Sequence, residues 1–164
     1  MRAVKRILVP TDFSPPAACA LEEAIGLANV FGASVTLFHV YGLPAPVSDR
    51  EYAYGENLIA TLGDAAERNL AAAREDLRRR VPDAPPIEIK ALLGFAADEI
   101  VAEARRGSFD LIVMGTHGRI GLKHMLLGSV AERVVRMAPV PVMTVHPVAE
   151  ASAAAEHEPA RSAP

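Results

Sequence analysis

Five short apolar runs alternate along this chain with stretches whose apolar residues recur at helical spacing. Val4 to Pro10 (VKRILVP) reads as a first strand, and Ser34 to Val40 (SVTLFHV) as a second, near-continuous one. Between them, Ser14-Pro15-Pro16 predicts an N-cap with prolines in the first helical turn. Leu21, Ala24, Ile25, Ala28 and Phe31 then keep one face until Gly32 stops the helix. Leu58, Leu62, Ala66, Leu70, Ala73 and Leu77 predict one buried stripe on a long helix from Asn57 to Arg80. Its last turn, Arg78 to Arg80, is read as a solvated end where cations suit the helix dipole. Ile87 to Leu93 (IEIKALL) predicts a third strand, Ala96 to Arg106 a helix with Ile100, Val101 and Ala104 inward, and Leu111 to Met114 a fourth strand. Ser129 with Glu132 has the spacing of a capping box, which predicts a helix from Ser129 to about Met137. Ala138 to Val145 is the last strand.

Strand and helix alternating in this way predict an α/β fold, an open five-stranded parallel sheet with helices on both faces, Rossmann-like. Glu88 and Lys90 mark the third strand as an edge, and Pro139 and Pro141 mark the fifth as the other. Both edges fit the strand order 3-2-1-4-5. The switch point then lies between strands one and four, beyond whose carboxyl ends ligands of open α/β sheets bind. Tyr41 to Glu56 reads as a long connection holding all three tyrosines. The expected domain spans residues 1–147, and 148–164, rich in Ala, Glu, Ser and Pro, is expected to be a disordered tail.

Composition narrows the function. The 164 residues suit one domain with a sizeable core. A net charge of −3 argues against nucleic acid as a partner, so any phosphate must be met by a local basic spot. The single cysteine, Cys19, excludes an internal disulfide, suggests a reducing compartment and reads as a small helix filler. No apolar run reaches the roughly 20 residues that span a bilayer. The chain enters a strand almost at once, so no signal peptide is expected and the cytoplasm is the default.

The chemistry gathers after the fourth strand, in DLIVMGTHGRIGLKHMLLGSVAE from Asp110 to Glu132. A strand, a glycine-rich basic loop and a helix start are the parts of an anion site, because the first helical amides lack partners and the dipole adds positive charge. The loop is not a P-loop, which needs Gly-Lys-Ser/Thr, nor a dinucleotide fingerprint, which needs G-x-G-x-x-G after the first strand. Asp12, where strand one gives way to a helix, is placed to meet a ribose hydroxyl, an adenine edge or a metal; the alternative is a turn aspartate bonding its own backbone. His39 reads as a packed, hydrogen-bonded strand residue rather than a ligand.

Gly115-x-x-Gly118, nine residues, then Gly128-Ser129 resembles the nucleotide-binding motif of the universal stress protein family, in its ATP-binding branch. PTDFS near the start, Asp110-Leu-Ile-Val-Met-Gly and Pro139-Val-Pro141-Val extend the resemblance over about residues 4 to 146. It implies an adenine nucleotide, ATP or else ADP or AMP, with adenine near Val40 and Asp12 and ribose near Asp12 and Gly115. Phosphates would follow Gly118, Arg119, Gly128 and Ser129, with amides of Ser129 and Val130 as donors. Pro10, Thr11, Ser14 and Met114 complete the implied set. Mg or Mn would be carried mostly through phosphates and water, with no protein ligands assigned. The uncharged last strand, Val140 to Val145, is expected to pair with its own copy across a two-fold axis, and the resemblance implies the same homodimer. The implied role is a nucleotide-dependent stress-response regulator or switch. One alternative is a slow ATPase or phosphoryl-transfer enzyme using Arg119, Lys123 and a metal, for which no general base stands out. The other is a dimeric scaffold that needs no nucleotide, against which the intact glycine spacing argues.

Overall fold

Five parallel strands form one sheet in the order β3-β2-β1-β4-β5, as the charged and proline-bearing edges predict. The computed structural model describes residues 3–42, 52–116 and 127–146. Its elements are β1 (Arg6–Pro10), α1 (Pro15–Phe31), β2 (Ser34–Tyr41), α2 (Tyr52–Arg80), β3 (Ile87–Leu93), α3 (Ala96–Arg106), β4 (Leu111–Gly115), α4 (Ser129–Met137) and β5 (Val142–Val145).

Strand alternation sends neighbouring residues to opposite faces, and both faces are covered. Ile7, Val9, Val35, Leu37 and Val113 pack under Ala20, Ala24 and Ile25 of α1 and Leu70 and Leu77 of α2. Leu8, Phe38, Ile112 and Met114 face the other way, against Ala97, Ile100 and Ala104 of α3 and Ala131 and Val134 of α4. Burial on both sides is why Ile7-Leu8-Val9 is apolar without a break. Asp110 ties the starts of the central strands together: its Oδ2 accepts the N–H groups of Lys5 at 2.9 Å and Arg6 at 3.1 Å.

Four local expectations change. α2 begins at Tyr52, so the connection after β2 is shorter than Tyr41–Glu56; Tyr41 belongs to β2, and 43–51 lie outside the described residues. At about 1.5 Å per residue α2 outruns the strands it covers, at about 3.3 Å per residue. Leu58, in the early part of α2, is 37% exposed, whereas Ala66, Leu70 and Leu77 are buried. β5 starts at Val142 rather than Ala138, because Pro141 offers its carbonyl to the Ile112 N–H at 3.0 Å but has no N–H to return. α4 is capped by Gly128 rather than Ser129, and no side chain closes the cap. The Gly128 carbonyl accepts the Glu132 N–H at 2.8 Å, and the Glu132 carboxylate pairs with Arg136 at 2.6 Å instead of reaching back. Ser14 is the N-cap of α1, ahead of Pro15 and Pro16, yet its hydroxyl also turns away from the helix. The expected tail, 148–164, lies outside the described residues.

Candidate functional site: a cleft at the switch point

β1 and β4 are paired at Ile7–Leu111 and Leu8–Ile112, and their carboxyl ends lead into a cleft of about 370 Å³. That volume lies in the range of small-molecule sites. One wall is the exit of β1: Pro10, Thr11 and Asp12. The opposite wall is the exit of β4 with the first turn of α4: Met114, Gly115, Thr116, Gly128, Ser129, Val130 and Ala131. Phe38 and Val40 of β2 with Ala96 and Ile100 of α3 form an apolar end, and Ala17 of α1 completes the lining.

The β1 exit is a tightly bonded turn. The Thr11 N–H donates to the Phe38 carbonyl at 2.8 Å, and the Phe13 N–H to Thr11 Oγ1 at 3.0 Å. Asp12 Oδ1 accepts both the Ser14 N–H at 3.1 Å and the Ser14 hydroxyl at 2.5 Å. Asp12 therefore makes the local turn that sequence reasoning held open as an alternative, and it lines the cleft as well. Across the cleft, Thr116 joins three elements. Its N–H donates to the Val145 carbonyl at 3.0 Å, its carbonyl accepts the Gly128 N–H at 2.7 Å, and its hydroxyl lies 2.9 Å from His146 Nδ1. The Gly128 bond closes the stem of the loop between β4 and α4, which brings the first amides of α4 beside the end of β4. Amides ahead of the first helical donor, Glu132, those of Ser129, Val130 and Ala131, are the ones a helix leaves for an outside acceptor.

Of the twelve residues singled out from sequence, nine line this one cleft: Pro10, Thr11, Asp12, Val40, Met114, Gly115, Gly128, Ser129 and Val130. Ser14 is buried behind the wall, where it bonds Asp12. Gly118 and Arg119 lie outside the described residues, as do Lys123, His117 and His124. Sequence reasoning missed Ala17, Phe38, Ala96, Ile100, Thr116 and Ala131. Phe38 and Ile100 look like ordinary core positions in the apolar pattern; Thr116 was legible only as the residue between Gly115 and the loop. Among the described residues no group of three or more His, Cys, Asp or Glu side chains is placed to hold a metal ion, and no helix is long and apolar enough to cross a membrane.

The sequence pattern of the Universal stress protein family matches residues 3–146. The chain is 37% identical over 147 residues to Universal stress protein MJ0531 of Methanocaldococcus jannaschii, covering 86% of this chain and 81% of that one. Among solved structures, Universal stress protein UspA from Lactobacillus plantarum superposes with a TM-score of 0.76 at 26% identity, over 88% of this chain and 99% of that one. A universal stress protein crystallised in complex with cAMP superposes with a TM-score of 0.66 at 26% identity, over 88% of this chain and 99% of its own.

Proposed function

This chain belongs to the universal stress protein family, and on that premise we propose that it binds an adenine nucleotide, ATP foremost, and acts as a nucleotide-dependent stress-response regulator. The observation that carries this reading is the convergence on one cleft of three unlike walls: an acidic turn, an apolar slot and a helix start whose first amides have no acceptor within the helix. A nucleotide has three parts with those three demands. The base belongs in the apolar end between Phe38, Val40, Ile100 and Met114. The ribose belongs beside Asp12 and Gly115, where a carboxylate can accept from a hydroxyl. The phosphates belong at Ser129 and Val130, and the glycine spacing of the sequence adds Gly118 and Arg119, which lie outside the described residues, as further phosphate contacts.

The similar protein crystallised with cAMP supports the adenine-nucleotide class. A Mg or Mn ion in this reading rides on phosphate oxygens and water, the habit of small hard cations, and needs no cluster of protein ligands. The same reading assigns β5 to a homodimer, because this edge strand carries no charged side chain that would deter pairing.

Mass spectrometry of the small molecules released from natively purified protein tests the assignment, together with calorimetry against ATP, ADP, AMP and cAMP. An adenine nucleotide at near-stoichiometric yield, or saturable binding of one of the four, is the expected result. A folded protein that releases none and binds none removes the assignment.

A further inference from the structure

The acidic wall of the cleft is held from behind by two rings that do not line it. His39 Nδ1 lies 2.7 Å from the carbonyl oxygen of Thr11. A carbonyl can only accept, so Nδ1 carries the proton and donates. With the Thr11 N–H already given to the Phe38 carbonyl at 2.8 Å, both backbone polar groups of Thr11 are fixed by consecutive residues of β2. Two residues on, Phe13 has φ of 64°, the left-handed region where a bulky side chain is an outlier. Its ring lies against the His39 imidazole with centroids 4.5 Å apart and planes tilted by 49°. Strained backbone persists only where its surroundings over-determine it, and it concentrates at functional sites. Here the strained residue sits between Asp12 and Ser14, whose mutual hydrogen bonds aim the carboxylate.

We propose that His39 is a positioning residue of the cleft: by donating to the Thr11 carbonyl and backing the left-handed Phe13, it sets Asp12 in the wall that meets the ligand. The inference rests on the nucleotide reading of the same cleft.

Three variants separate the hydrogen bond from mere packing. In His39→Asn the side-chain amide nitrogen takes the place of Nδ1. In His39→Gln it stands where Nε2 was, too far along to reach Thr11, and in His39→Leu there is no donor. Calorimetry with ATP, run beside thermal unfolding of the nucleotide-free proteins, gives the readout. The expected result is a Kd weakened about five- to tenfold in the Leu and Gln variants, the worth of about one positioned hydrogen bond, with the Asn variant within about twofold of wild type. Affinity in the Leu variant equal to wild type overturns the proposal, as does equal loss in all three in step with lowered Tm, which would mark His39 as packing alone. A wild-type protein that binds no nucleotide brings down the reading of the cleft itself, and this inference with it.

Discussion

A β-carbon placed on Gly115 would stand 2.8 Å from the carbonyl carbon of Pro16 and 2.9 Å from its Cβ, so the end of β4 meets the first turn of α1 backbone to backbone. Neither side can yield as a flexible side chain would. Gly115→Ala therefore forces α1 away from the sheet or bends the end of β4. A destabilisation of about 1–3 kcal/mol is expected in chemical denaturation, the usual cost of overpacking, together with weaker nucleotide binding. An alanine variant as stable as wild type would show that the approach is not tight.

Gly128 differs from Gly115 in kind. Its φ of −72° and ψ of 157° are open to any residue, so backbone conformation does not demand glycine there. It lines the cleft at the first turn of α4, and a branched side chain would occupy the space proposed for phosphate. Gly128→Val should leave the far-ultraviolet spectrum and Tm near wild type while abolishing ATP binding in calorimetry. Retained affinity in the folded variant would exclude phosphate from this wall.

Glu103, only 4% exposed, is held by Lys90 Nζ at 2.8 Å from each carboxylate oxygen and by Arg106 at 3.4 Å. The Lys90 side chain is 45% exposed, so solvent screens the pair and it should count for less than a fully buried one. Lys90→Met leaves the carboxylate with its weaker partner and should cost about 1–3 kcal/mol, while the double variant Lys90→Met with Glu103→Leu should recover most of that loss. Urea midpoints of the two variants check this; a double variant no better than the single would place the cost elsewhere.

On β5, the Pro141 carbonyl meets Ile112 and the Val145 carbonyl meets Thr116, so odd-numbered residues turn their polar groups toward β4. By alternation, Val142 and Thr144 present theirs to the open edge. Thr144→Pro should therefore spare the internal ladder and remove one outward donor. If β5 pairs with its own copy, sedimentation should show the dimer dissociating at least about tenfold more readily, the worth of roughly one hydrogen bond together with the lost strand geometry, with little change in the monomer. An unaltered dimer would move the interface to another surface.

The strand order was legible because the two edges differ chemically from the centre: Glu88 and Lys90 on one side, prolines on the other, and Ile7-Leu8-Val9 unbroken between them. The cleft was legible because glycine spacing and the acid after β1 are local marks. What failed or went unseen is non-local. Ser129 and Glu132 carry a capping pattern, and α4 does run Ser129–Met137 as that pattern predicts, but the cap is Gly128 and no side chain closes it. Residue spacing cannot show that His39 would reach Thr11, that His146 would lie beside the Thr116 hydroxyl, or that Tyr52 would already be helical, since each depends on where another element settles.

The central strands share a register over two residue pairs before each runs on to a wall of its own. The molecule thus carries its recess as a fork between diverging tines. A guest held there in the proposed way would lie beyond the paired residues, so its arrival would ask no ladder bond of the sheet to break.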